Sequence, residues 1–181
     1  MGARAYTLIE DMEFRDGDCV VEIGAERGEG STKYLQKFCK SKEIPFFSID
    51  IKPTRLGTLR MSGEVFLEHL ASNVRFAYLD NYDYIFPGVE NAPWIKAQQR
   101  QYKRYGYNMN NDNSKQAHLD QALQIYDMSD KGSRILFDDT YFDGEMTGKG
   151  GWAVPILLGL GYDILNDISE DIQGYVLMEK Q

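Results

Sequence analysis

Hydrophobic residues along the chain gather into short runs separated by turns rich in glycine, aspartate and asparagine. The first strong run is Cys19-Val20-Val21-Glu22-Ile23-Gly24, which follows the turn Asp16-Gly17-Asp18 and closes on a glycine. It is apolar on both faces, and this predicts a central parallel strand over 19–24. Ser31 and Thr32 stand where a helix should begin, with Tyr34, Leu35 and Phe38 on its apolar face. A second strand is predicted over 45–50 and ends in Asp50. The two strands and the helix make one βαβ unit, whose crossover should be right-handed.

The alternation continues down the chain. Helices are predicted over 64–70, 119–126 and 153–160, the last entered near Pro155, a residue tolerated in a first turn. Strands are predicted over 75–80, 134–138, 162–165 and 175–178. The last two are too close for a helical crossover and should pair antiparallel. Together these elements predict an α/β fold: a doubly wound, mostly parallel sheet with an antiparallel C-terminal strand and helices on both faces. We expect one domain over 1–181, with an insert at about 84–117. That insert is polar and aromatic and carries Trp94, Tyr102, Tyr105 and Tyr107 beside Lys96, Arg100, Lys103, Arg104 and Lys115. Connections of this length are usually functional, and the run 108–113 reads as irregular. The segment either closes over a negatively charged or planar substrate, or forms an amphipathic helix packing Trp94, Ile95 and Tyr102. Much of 92–115 is expected to be mobile until substrate binds.

Composition narrows the partners. Apolar residues make up 43% of the 181, and the net charge is -8 with a pI near 4.8. Such an acidic surface repels phosphate backbones and disfavours nucleic acid. Cys19 and Cys39 match no metal motif and have no visible base partner, so both read as buried thiols in a reducing compartment. No apolar stretch is long enough to span a bilayer, and no signal-peptide core is visible. The expected location is the cytoplasm, without membrane association. Oligomerisation stays open.

The segment Glu22-Ile23-Gly24-Ala25-Glu26-Arg27-Gly28-Glu29-Gly30-Ser31 carries the first chemistry. Glycines at a strand-to-helix turn let a ligand approach the backbone. The helix start offers free N–H groups and a positive dipole end, suited to a carboxylate or phosphate. Asp50, ending the next strand, can accept hydrogen bonds from a ribose diol. Ligands of doubly wound sheets bind beyond the carboxyl ends of the strands. Gly24, Gly28 and Gly30 do not fit the dinucleotide spacing G-x-G-x-x-G.

With an acid two positions before its first glycine, the loop resembles that of class I S-adenosylmethionine-dependent methyltransferases, which commonly reads acid-x-G-x-G-x-G. It is similar to an O-methyltransferase-like subgroup of small bacterial enzymes, although Glu26 stands at the middle glycine. The likeness extends over nearly the whole chain, through Asp50, Leu79-Asp80-Asn81-Tyr82-Asp83, His118-Leu119-Asp120-Gln121, Phe137-Asp138-Asp139-Thr140, Gly148-Lys149-Gly150-Gly151 and Val154-Pro155. It implies a Rossmann-like fold. It also implies that Glu22, Gly24, Gly28, Gly30 and Ser31 hold the methionine end of the cofactor, that Asp50 holds the ribose, and that Asp80 stands close by.

Asp80, Asp138 and Asp139 each follow a predicted core strand and should converge above the loop. Crowded carboxylates repel one another unless a cation or proton intervenes, and hard divalent cations prefer oxygen ligands. The resemblance suggests Mg²⁺ at these three residues, acidifying a substrate hydroxyl. The alternative is a set of capping and loop-bonding aspartates. Asp80, Asp139 and His118 are the catalytic candidates. His118 is the candidate general base, placed just ahead of a helix, or else a helix-start residue bonded to a loop carbonyl. His69 reads as a surface or packing residue. The leading functional expectation is methyl transfer to a small-molecule acceptor at oxygen. The alternatives are a binding module for S-adenosylmethionine or a nucleotide without catalysis, and an NAD-dependent dehydrogenase.

Overall fold

The computed structural model describes residues 4–25, 30–52, 57–168 and 174–181. Gly28 lies outside them. After a short 3-10 helix at Ala5–Ile9 come β1 (Asp18–Ile23), α1 (Ser31–Lys42), β2 (Phe46–Asp50), β3 (Leu59–Arg60), α2 (Gly63–His69) and β4 (Asn73–Leu79). They are followed by α3 (Pro93–Arg104), α4 (Asn111–Asp127), β5 (Arg134–Asp138), β6 (Thr140–Phe142), β7 (Met146–Gly148), α5 (Ala153–Gly159), β8 (Tyr162–Ile164) and β9 (Tyr175–Lys180). Seven strands form one sheet in the order β3-β2-β1-β4-β5-β9-β8, and β6 and β7 form a separate hairpin. β9 runs antiparallel to both β5 and β8, while the pairings among β1 to β5 are parallel. The mostly parallel sheet with its antiparallel C-terminal strand is the one the sequence predicts.

Strand alternation divides the core into two layers. Cys19, Val21 and Ile23 of β1 face the layer built with Phe66, Leu67, Ala122, Ile125 and Leu157 of α2, α4 and α5. Val20 faces the opposite layer with Leu35 and Cys39 of α1 and Ile9 of the 3-10 helix. β1 is buried along its whole length, which is why it reads as a continuous apolar run. Both cysteines are free and buried, and burial, the main cause, pushes each thiol up to about 12. No helix among the described residues is long and apolar enough to cross a membrane.

Three local readings change. The asparagine-rich run is ordered: the Asn110 side chain accepts from the Asn113 N–H at 2.8 Å and starts α4 at Asn111. His118 therefore lies inside α4 and not ahead of a helix. The two-residue β3 and the β6–β7 hairpin are too short to leave a periodic signature. In the insert, Ile95 and Tyr102 pack inward with Ile85 and Met109 in a third small core. Trp94, which the amphipathic-helix alternative packs with them, is 53% exposed.

Candidate active site

β1 and β4 are neighbours, and the chain leaves β1 towards β2 on one side while β4 continues to β5 on the other. The strand order reverses there, and a crevice opens beyond the carboxyl ends. A cavity of about 280 Å³ occupies it, lined by Gly24 after β1, Asp50 to Lys52 after β2, Asp80 to Asp83 after β4, and Gln98, Tyr102 and Tyr107 of the insert. Gly24 has φ 100°, and a Cβ there would stand 2.3 Å from the Asn81 nitrogen, so only glycine lets the two strand ends meet. Asp50 lines the cavity and its Oδ1 accepts from the Lys52 N–H at 2.8 Å.

Glu22 is fully buried at the base of this turn. Burial raises its pKa, and the hydroxyls of Ser31, Thr32 and Ser48 draw it back. The Ser48 hydroxyl donates to Oε2 at 3.0 Å. Glu22 thus ties β1, β2 and the start of α1 together beneath the cleft, with Ser31 opening that helix behind Gly30, its N-cap. Two amide oxygens of cavity-lining residues, Asn81 Oδ1 and Gln98 Oε1, are buried without partners. The Gln98 amide orientation is fixed by its N–H donating to Asp83 at 3.2 Å. A ligand rich in N–H and O–H donors fits such a wall.

Beside the cavity the structure brings together Asp80, Asp138 and Asp139, with one oxygen of each within 4.8 Å of the others. A lysine joins them. Lys149 Nζ donates to Asp80 Oδ1 at 2.6 Å and lies 3.1 Å from Asp139 Oδ2. Burial opposes the ammonium's charge, but Asp80, Asp139 and Asp138 outweigh it and raise the pKa well above the usual value. Burial, then the Asp80 charge, hold the Asp138 carboxyl well above the usual carboxylate range. His118 is fully buried, with Nδ1 2.7 Å from the Ser114 carbonyl and Nε2 unpartnered. Burial first, and the Lys149 charge next, push its pKa down to about 3. It stays neutral and out of solvent reach. His69 is exposed and bonds within its helix to Val65 O at 2.9 Å.

No family model and no curated protein sequence matches the chain. Solved structures do match in shape. A provisionally assigned methyltransferase from Streptococcus mutans, in complex with S-adenosylhomocysteine, aligns with TM-score 0.53 at 7% identity over 98% of this chain and 95% of that one. A provisionally assigned rRNA methylase from Clostridium thermocellum aligns with TM-score 0.54 at 12% identity, over 98% and 96%. The 1,6-didemethyltoxoflavin-N1-methyltransferase from Burkholderia thailandensis, with bound 1,6-didemethyltoxoflavin and S-adenosylhomocysteine, aligns with TM-score 0.51 at 13% identity, over 98% and 77%. The fold is that of the class I methyltransferases.

Within this methyltransferase fold, the residues singled out from sequence separate into two groups. Gly24, Asp50 and Asp80 line the cleft, and Glu22 and Ser31 sit beneath it. Asp80, Asp138 and Asp139 share the adjoining cluster. Lys149 was missed as a site residue. The signal available was a lone lysine inside Gly148-Lys149-Gly150-Gly151, three glycines that let the chain fold tightly against a strand end. Tyr102, named in the insert under both sequence readings, is buried and also lines the cleft.

Proposed function

We propose that this chain binds S-adenosylmethionine in the cleft beyond β1, β2 and β4 and transfers its methyl group to a small-molecule acceptor, at oxygen. The observation that carries the reading is the continuity of the cleft with the carboxylate cluster through Asp80, which belongs to both. S-adenosylhomocysteine in two of the similar structures supports the cofactor. The heterocycle bound by one of them, together with this chain's charge of -8, supports a small acceptor.

When bound, S-adenosylmethionine supplies a methyl group on a cationic sulfur. Asp50 is suited to the ribose hydroxyls, and the N–H groups opening α1 are suited to the methionine carboxylate. The unpartnered oxygens of Asn81 and Gln98 offer acceptors to its N–H groups. Asp139, half-buried at the edge of the cluster, would take the acceptor's hydroxyl proton as the methyl group is transferred. Asp80 lies next to it and orients the acceptor. His118, buried and neutral, supports α4 and does not take the proton.

Isothermal titration with S-adenosylmethionine, S-adenosylhomocysteine and NAD⁺ tests the cofactor; the first two should bind and the third should not. The reverse result reinstates the dehydrogenase reading. Mass spectrometry of hydroxylated small molecules incubated with enzyme and cofactor should show gain of a methyl group. Binding without transfer to any acceptor would leave a binding module.

A further inference from the structure

Lys149 is 1% exposed. A buried ammonium is costly unless it is both paired and fully hydrogen-bonded. It donates to Asp80 Oδ1 at 2.6 Å and to the Asp80 carbonyl oxygen at 3.2 Å, and forms an ion pair with Asp139 Oδ2 at 3.1 Å. The ammonium therefore stands between two of the three carboxylates whose oxygens approach closely enough to ligate one ion.

The backbone holds it there. After β5 the chain turns through Asp139, at φ 45°, into the β6–β7 hairpin and returns at Gly148, at φ 84°. A Cβ on Gly148 would lie 2.0 Å from the Asp139 carbonyl oxygen. The Lys149 N–H donates to that carbonyl at 3.0 Å, and the Gly150 N–H donates to Thr140 Oγ1 at 2.9 Å. Gly150 itself packs against Phe137, where a Cβ would stand 3.0 Å from the ring. The hairpin's return is thus stitched to the end of β5 on both sides of the lysine. Unlike a surface lysine, this one is directed into the cluster by its own main chain.

We propose that Lys149 is the resident counter-ion of the Asp80, Asp138 and Asp139 cluster, a positioning residue that takes the place of a divalent cation and makes the site independent of one. The ammonium occupies the position from which a cation would neutralise the carboxylates, and it fixes the spacing of Asp80 and Asp139 at the mouth of the cleft. This role rests on the methyltransferase reading for its catalytic meaning, but its test reads cation binding and not turnover.

Chelator-treated protein is titrated with Mn²⁺ by calorimetry and by electron paramagnetic resonance, with thermal melts in parallel. The intact chain is expected to show no site that depends on the cluster. Lys149→Met removes the charge at similar volume and should create one, binding at least roughly tenfold tighter than the parent, as an uncompensated oxygen cage does for a hard cation. Adding Asp139→Asn should remove the gained site, and Lys149→Arg, which keeps the charge, should not create it. If Lys149→Met folds only with Mn²⁺ present, that dependence is the same result. Mn²⁺ binding by the intact chain that Asp139→Asn abolishes overturns the proposal, as does a Lys149→Met variant that Mn²⁺ neither binds nor stabilises. Titration with S-adenosylmethionine, run separately, tells failure of the cofactor reading apart from failure of the counter-ion.

Discussion

At the end of β1, Gly24 runs against the backbone of Asp80 and Asn81, the latter at 2.3 Å from a virtual Cβ. The contact is backbone to backbone, so no side-chain rearrangement can relieve it. Gly24→Ala should destabilise the fold by about 1–3 kcal/mol, the range for forced strain at a special backbone position, and should widen the cleft. Denaturant unfolding and cofactor titration check this; unchanged values in both would remove Gly24 from the site. Asp50→Ala acts differently, because the change is in a carboxylate that lines the cavity and not in the backbone. Cofactor affinity should fall by roughly 1–3 kcal/mol, the scale for leaving donors unpaired, with the melting temperature little changed. Equal binding by parent and variant would exclude the ribose contact. Two non-glycine residues with left-handed φ, Tyr82 at 57° and Asp139 at 45°, follow β4 and β5 at this same edge. Strained backbone concentrated where strands end in carboxylates marks the functional side of the sheet.

Among the elements, the stretch from β4 to α4 is the one whose own contacts build a wall of the cleft. Asn111 clamps Ile85 with paired bonds of 2.7 and 2.9 Å, and the Ser114 hydroxyl donates to Tyr82 O at 2.7 Å. The Tyr102 hydroxyl accepts from the Asp83 N–H at 3.0 Å, and Lys52 Nζ lies 5.6 Å from its ring centroid. The insert is a wall of the cleft with a small core of its own. Tyr102→Ala should empty that core at a local cost of about 3–5 kcal/mol. Hydrogen exchange should speed up across 93–107 and cofactor binding should weaken, while β1, β4 and β5 keep their protection. Equal protection of the insert in parent and variant would show that its core does not hold it. α3 also presents Lys96, Arg100, Lys103 and Arg104 outward, with no acid in its length, on an otherwise acidic protein.

For the whole molecule, the buried imidazole sets a pH limit on stability. His118 has its pKa lowered from 6.5 to about 3, so between these values the unfolded chain binds the proton and the folded chain does not. Stability therefore rises with pH across this window and is lost as pH falls from about 6.5 towards 3. Asp138 acts in the opposite sense: its raised pKa makes its contribution decline as pH rises above the ordinary carboxylate range. His118→Asn, which keeps a donor towards the Ser114 carbonyl, should flatten the acid limb of unfolding free energy against pH without shifting the pH–rate profile. An acid limb of activity that moves with this substitution would restore His118 as the proton acceptor.

The sequence by itself determined the sheet. Runs apolar on both faces can be buried only as central parallel strands, and glycine after β1 with aspartates after β2, β4 and β5 marks their carboxyl edge as the polar one. The antiparallel pairing of β8 and β9 was legible too, because too few residues separate them for a crossover. Helix starts were less legible: the polar opening of α4 hides its first two turns, and with them the burial of His118. What only the tertiary structure decided was proximity. Asp80 and Lys149 are 69 residues apart in the chain and 2.6 Å apart in space, and no local pattern records that distance. Periodicity reports which face a residue takes, because neighbouring side chains share one backbone. The partner of a buried charge is set by how strands and hairpins far apart in sequence meet at one edge.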